Sequence, residues 1–208
     1  MNQTKLKPAT IKNTVFDLGA VLFHWNPEAI AQEFAEDVTQ RQLLLDQVFH
    51  HQDWKRLDLG EITERQAIQS FANNTGLPLA RMEALIDSIK AYLTPKEDTV
   101  ALLLELQQQG HRLFCLSNIC TEIYQHIATR HTFFDAFEDV IVSAEVKLAK
   151  PDPKIFQYML KRFNILPEET LFIDDMPANV ASASSLGIQA IQFTEIADCR
   201  RAIARIIG

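Results

Sequence analysis

Four polar stretches in this chain stand where short apolar runs end. Asp17 follows Thr14-Val15-Phe16, and Ser117-Asn118 follow Phe114-Cys115-Leu116. Ser143 to Lys150 follow Val140-Ile141-Val142, and Asp174-Asp175 follow Leu171-Phe172-Ile173. A carboxylate leaving an apolar run must find a cation, hydrogen bonds or a reaction, because an unpaired buried charge is strongly unfavourable. The four stretches together offer three carboxylates, a hydroxyl–amide pair and a lysine. Three carboxylates are hard oxygen donors of the kind Mg²⁺ prefers. Lys150 is a point cation, and the Ser117 hydroxyl can grip phosphate oxygens. An aspartate in such company stays ionised and is able to attack phosphorus.

The elements between these stretches decide whether they meet. Strands are predicted at Asn13–Leu18, His111–Leu116, Val140–Val142, Leu171–Ile173 and Ile188–Phe193, from their β-branched and aromatic content. Helices are predicted over 98–109, 120–129, 153–163 and 177–186, the first and last stopped by Gly110 and Gly187. In the first of these, Val100, Leu103, Leu104 and Leu106 are expected to face inward. Alternating strands and helices imply crossover connections and a parallel sheet covered on both faces. The fold class is therefore α/β, a Rossmann-like doubly wound parallel sheet. In such a sheet ligands bind outside the carboxyl ends of the strands, where all four polar stretches fall.

From Pro27 to about Lys90 the pattern is helical throughout. Asn26 caps a helix opened by Pro27, Thr63-x-x-Gln66 is a capping box, and Pro78 opens a helix with Met82, Leu85, Ile86 and Ile89 on one face. An all-helical cap over 26–94 is thus expected, inserted after strand one into a core formed by 11–25 and 95–208. Residues 1–10 read as a polar leader.

The chain has 208 residues, 47% hydrophobic and 23% charged, enough to bury a sizeable core. A formal net charge of -7 argues against nucleic-acid binding, which calls for a basic face. No window is long and apolar enough for a membrane span or a signal core. Cys115, Cys120 and Cys199 lack metal spacing, so reduced thiols and a cytoplasmic setting are expected. Oligomeric state has no signature here.

Asp17-Leu18-Gly19-Ala20-Val21, Leu116-Ser117-Asn118, Lys150-Pro151-Asp152-Pro153 and Phe172-Ile173-Asp174-Asp175-x-x-x-Asn179 resemble, in order and spacing, the four motifs of the haloacid dehalogenase superfamily. The helical insertion resembles the cap of its first subclass. Asp-Leu-Gly-x-Val with Gly60-Glu61-Ile62 is similar to the branch containing sugar-1-phosphate phosphatases. The resemblance implies a Mg²⁺-dependent phosphatase acting on a small phosphorylated metabolite, with a sugar phosphate as the expected substrate. Asp17 would be the nucleophile, forming an aspartyl-phosphate, and Lys150 would neutralise both nucleophile and phosphate. Ser117 and Asn118 would bind the phosphoryl group. Asp17, the Gly19 backbone carbonyl and Asp175 would hold the metal, with Asp174 beside them or acting through water, and Asn179 would brace the loop. Gly19 departs from the pattern, because most phosphatases of the superfamily carry there the aspartate that serves as general acid and base. Losing a positioned acid costs about 10²–10⁴-fold. The alternatives are a 2-haloacid dehalogenase, whose nucleophile attacks carbon without metal, and a catalytically weak binding module.

Other residues are weighed by their surroundings. His50-His51-Gln52-Asp53-Trp54 is the candidate specificity loop, with Trp54 as a substrate contact. His24 reads as a hinge residue, Lys147 as a less suitable alternative to Lys150, and Phe133 to Phe137 as packing. Arg200, Arg201 and Arg205 read as a solvated helix face.

Overall fold

Five short strands carry the apolar runs of the chain, whose computed structural model describes residues 10–207. The polar leader thus lies, up to residue 9, outside the described residues. Strands β1 (Asn13–Phe16), β2 (Arg112–Ser117), β3 (Asp139–Val142), β4 (Thr170–Asp174) and β5 (Gln189–Gln192) form one sheet in the order β3-β2-β1-β4-β5. Every neighbouring pair is parallel, and β1 is central, with Val15 opposite both Phe114 and Phe172. The chain winds outward from β1 to β3, then returns to place β4 on the other side of β1. The order reverses at β1, which is where an open sheet leaves a crevice.

Period-two alternation divides the sheet between two cores. Phe16, Leu113, Cys115, Leu171 and Ile173 face one, and Val15, Phe114, Leu116 and Phe172 face the other. The first core continues into the helical insertion through Ile30, Leu44, Phe71, Met82 and Ile89. Each such side chain, fully buried, contributes about 1.5–3 kcal/mol.

The insertion comprises α1 (Pro27–Phe34), α2 (Val38–Leu44), α3 (Gln52–Asp58), α4 (Glu64–Thr75) and α5 (Leu79–Tyr92), with a wide turn at Leu45–Phe49. Asn26 caps α1 by accepting from the Ala29 N–H, and the Thr63–Gln66 capping box forms as expected. Met82, Leu85, Ile86 and Ile89 are buried along α5. The stretch read as a specificity loop is instead the start of α3, capped by His51, whose ring accepts from the Asp53 N–H. After the insertion come α6 (Glu97–Gln108), α7 (Thr121–Ala128), the single turn α8 (Ser143–Val146), α9 (Pro153–Phe163), α10 (Pro177–Ser185) and α11 (Ile196–Ile207). On α6, Leu102 is buried and Leu104 is exposed, the reverse of expectation. Thr99, Leu102, Leu103 and Leu106 centre the buried face, and Leu104 lies well over 100° around the helix from its middle.

The chain leaves and re-enters the sheet region on adjacent backbones. His24 N–H donates to Thr94 O at 2.9 Å and Lys96 N–H to Leu22 O at 2.8 Å, with Phe23 and Pro95 paired between them. A second connection lies at the end of α3. There Ser143 Oγ donates to Asp58 O, Lys147 Nζ donates to Gly60 O, and Gly60 adopts φ 63°. A Cβ on Gly60 would lie 2.3 Å from Ala144 O, so backbone meets backbone with no room for a side chain. Gly76 shares the left-handed conformation at φ 69° but faces open space. Equilibrium unfolding should therefore separate the two. Gly76→Ala is expected to lose only the conformational cost of about 1 kcal/mol, and Gly60→Ala clearly more, toward about 3 kcal/mol. Equal losses would show that the approach to Ala144 does not hold the helices to the sheet.

Candidate active site

Asp17 follows β1 directly, its N–H extending the ladder to Ile173 O at 3.0 Å, while Asp174 ends β4 next door. Adjacent strand ends thus deliver two carboxylates to one point. Lys150, 5% exposed, lies between them: its Nζ is 2.9 Å from Asp17 Oδ1, 2.7 Å from Asp174 Oδ2, and donates to Leu116 O at 2.9 Å. Three N–H donors meet three acceptors, which is the full capacity of an ammonium. Lys147 is elsewhere, engaged with Gly60.

Asp174 is fully buried and saturated. Its Oδ1 accepts from the Met176 N–H at 2.8 Å and from Asn179 Nδ2 at 2.9 Å, and its Oδ2 from Lys150 and again from Asn179 at 3.1 Å. Four acceptor sites are filled by four contacts. Asp174 therefore anchors Lys150, and Asn179 braces Asp174 as expected. Asn118 differs from expectation. Its amide donates to Lys150 O at 2.8 Å and accepts from Lys150 N at 2.9 Å, so the side chain is spent on holding the lysine backbone. Ser117, 2% exposed, lines the cavity beside it.

On Asp17, Lys150 and the Leu18 N–H at 2.8 Å both fall on Oδ1, leaving Oδ2 clear of these two partners. Burial raises the Asp17 carboxyl to about 7, against the pull of Lys150 and with the charges of Asp174 and Asp175 adding to it. Burial likewise raises Asp175, which is half-buried, with Asp174 contributing. Oxygens of Asp17, Asp174 and Asp175 lie within 4.8 Å of one another. Three carboxylates so close, with one lysine among them, leave excess negative charge, and Asp17 and Asp175 offer the hard oxygen donors that fit Mg²⁺.

Asp17, Ser117, Lys150 and Asp175 form the floor of a cavity of about 220 Å³. Its walls are apolar and include Phe23, Trp25, Trp54, Leu93, Ile123 and Ile127. Trp25 and Trp54 stack at 5.7 Å between ring centroids, and Phe49 and Phe71 pack against Trp54. Trp54 thus both lines the cavity and packs the insertion. Phe133 packs behind Phe23 at 5.7 Å, as its reading as packing implies. His24 is exposed and does not line this cavity.

Gly19 lies at the rim without a left-handed backbone. That conformation belongs to Ala20 (φ 58°), whose carbonyl accepts from Lys96 Nζ at 2.8 Å. A Cβ on Gly19 would meet the Trp25 side chain at 3.6 Å, an ordinary van der Waals contact. Sequence reading also passed over Asp58, which lines the cavity from the far end of α3, four residues after Trp54 and so on the same helix face. Its signal was available, because a carboxylate in the last turn opposes the helix dipole and asks for a reason.

The haloacid dehalogenase-like hydrolase family model matches residues 11–187. The chain belongs to this family. Among curated relatives, this haloacid dehalogenase-like hydrolase is 28% identical to the sesquiterpene phosphatase astK of Aspergillus oryzae, over 96% of this chain and 98% of the relative. It is 23% identical to a D-ribitol-5-phosphate phosphatase of Bacteroides thetaiotaomicron, over 95% and 99% respectively. Among solved structures it is similar to a haloacid dehalogenase family enzyme of the same bacterium, an aspartate-to-alanine mutant in complex with magnesium and inorganic phosphate. The TM-score is 0.73 at 25% identity, covering 88% of this chain and 94% of that one. The family's α/β architecture is the one described above. Among the described residues, no helix is long and apolar enough to cross a membrane.

The electrostatics of the hydrolase's site yield a stability test. The folded state holds the Asp17 proton up to about pH 7, whereas the ordinary carboxyl value is 3.8. The folded chain binds the extra proton in that window, so stability falls as pH rises through it. Thermal unfolding of metal-free Asp17→Asn should exceed wild type at pH 8, with the gap shrinking toward pH 4. Adding Mg²⁺ should stabilise wild type and narrow the gap at pH 8. A pH-independent gap would contradict this electrostatic reading.

Proposed function

We propose that this hydrolase is a Mg²⁺-dependent phosphatase whose substrates are phosphate monoesters of small apolar alcohols, acting in the cytoplasm. The observation that carries the reading is the cavity's division into a charged floor around Asp17 and Lys150 and walls built from aromatic and aliphatic side chains. Such a pocket binds an apolar group by area and orients it by a few polar contacts. A sugar, the substrate first expected, would need partners for its hydroxyls. Away from the phosphate end, the side chains offering them are Asp58 and the indole N–H groups of Trp25 and Trp54. Similarity to a sesquiterpene phosphatase supports the apolar class, and similarity to a ribitol-phosphate phosphatase keeps polyol phosphates as the competitor to test.

In this reading residues 26–94 are the cap over a core of 11–25 and 95–208. Asp17 Oδ2 attacks phosphorus in line with the ester oxygen, the P–O bond to the alcohol breaks, and an aspartyl-phosphate remains for water to hydrolyse. Lys150 fixes Asp17 through Oδ1 and screens the incoming phosphate, and Ser117 binds phosphoryl oxygens. Asp17, Asp175 and the Gly19 carbonyl would hold Mg²⁺, which offsets phosphate charge so that two anions can meet. Asp174 would stand behind them, its acceptor sites already occupied by Lys150, Met176 and Asn179. The same excess of carboxylates disfavours the metal-free dehalogenase reading, whose acid substrate would be repelled.

A phosphate-release screen with Mg²⁺ or EDTA tests the proposal. Prenyl and benzyl phosphates should exceed sugar and polyol phosphates in kcat/KM by at least about tenfold. EDTA should remove activity, and Asp17→Asn should abolish it. A preference for sugar phosphates would overturn the apolar class, and halide release from 2-haloacids in EDTA without phosphatase activity would overturn the reaction.

A further inference from the structure

An alkoxide leaving phosphorus needs a proton, and Gly19 has no side chain to give one. A Cβ there would meet the Trp25 side chain 3.6 Å away, an ordinary van der Waals contact. Trp25 in turn stacks on Trp54, and one helical turn beyond Trp54 comes Asp58. Asp58 lines the same cavity as Asp17 but comes from the helical side. The turn that carries it is fixed to the core three times, by Ser143 on Asp58 O, by Lys147 on Gly60 O, and by the close approach of Gly60 to Ala144. Such fixation gives a carboxyl group on an inserted helix a set position over the sheet.

We propose that Asp58 is the general acid of this site, giving its proton to the ester oxygen as the bond to phosphorus breaks, and the general base of the second step. The inference rests on the phosphatase reading above. In the first step Asp17 Oδ2 bonds to phosphorus, the P–O electron pair goes to the leaving oxygen, and the Asp58 proton completes the alcohol. In the second, water attacks phosphorus of the aspartyl-phosphate, its proton passes to Asp58, and Asp17 and phosphate are released. Both groups end as they began.

The surroundings favour the protonated form of this carboxyl. Burial raises it well above the usual carboxylate range and the charge of Asp17 adds to the rise, while the Trp54 side chain and the Cys120 backbone N–H pull the other way. The neighbouring Cys120 thiol is itself raised to about 12, by burial first and with the charge of Asp58 contributing, and stays neutral. At the C-terminal end of α3, a neutral acid also avoids the unfavourable helix-end field that a carboxylate would meet. Asp17, held by Lys150, has the opposite partner and the opposite task. Burial raises both carboxyl groups, and the lysine beside Asp17 is what separates the nucleophile from the acid.

The test compares benzyl phosphate, whose alkoxide needs protonation, with para-nitrophenyl phosphate, whose phenolate leaves unaided. With Mg²⁺, Asp58→Asn should lower kcat/KM for benzyl phosphate about 10²–10⁴-fold and for the nitrophenyl ester far less. The ratio of the two constants does not depend on how much of the variant is folded. Asp58→Ser should shift the ratio in the same direction, covering the case in which the amide prevents folding. An unchanged ratio in these variants would overturn the role of Asp58 while leaving the phosphatase reading intact. Wild-type protein inactive on both esters would instead overturn the phosphatase reading, and this inference with it.

Discussion

One buried ammonium holds this site together. Lys150 Nζ touches Asp17, Asp174 and the Leu116 carbonyl, and so ties the ends of β1, β4 and β2 at one point. Without it, carboxylates whose oxygens lie within 4.8 Å would face each other across an apolar sheet edge. Removing one partner from such a buried pair costs about 3–5 kcal/mol. Asn118 and Asn179 are subordinate to this contact, one clasping the Lys150 backbone and the other filling the remaining acceptors of Asp174. The lysine does not fully compensate its surroundings, because burial and the neighbouring acids still raise Asp17. That residual negative charge suits the proposed divalent cation.

The helical insertion completes what the sheet leaves open. The sheet edge supplies charge and rigidity, and the insertion supplies apolar walls through Trp25, Trp54 and Leu93. Two connections set its position, the paired backbones at Phe23 and Pro95 and the turn at Gly60 against Ala144. The second is the closer constraint on function, since the residue two before Gly60 is Asp58. In the proposed mechanism the nucleophile comes from the sheet and the proton donor from the insertion, so the chemistry depends on the two being correctly docked.

Much of the architecture was legible in the residues. Apolar runs ending in acid marked β1 and β4, caps at Asn26 and Thr63 marked helix starts, and the four polar stretches meet at one edge as their order implied. What was not legible depends on side-chain direction. Asn118 could be placed beside Ser117, but whether its amide faces a phosphate or the Lys150 backbone is decided by packing. In the turn after Asp17 it is Ala20, not Gly19, that takes the left-handed conformation, with its carbonyl accepting from Lys96. Leu104 followed the helical period but fell past the edge of the buried arc. A loop over His50–Trp54 hides the start of α3, and with it the four-residue spacing that sets Asp58 on the face of Trp54.

In the proposed mechanism Asp17, held by Lys150, becomes covalently phosphorylated. Rapid acid quenching of the protein during turnover of a phosphate ester with Mg²⁺, followed by borohydride reduction and peptide mass spectrometry, tests it directly. An aspartyl-phosphate at Asp17 would be recovered as homoserine at that position, and only when substrate and Mg²⁺ are both present. Steady turnover with position 17 unmodified, or homoserine at Asp58, Asp174 or Asp175 instead, would contradict the account.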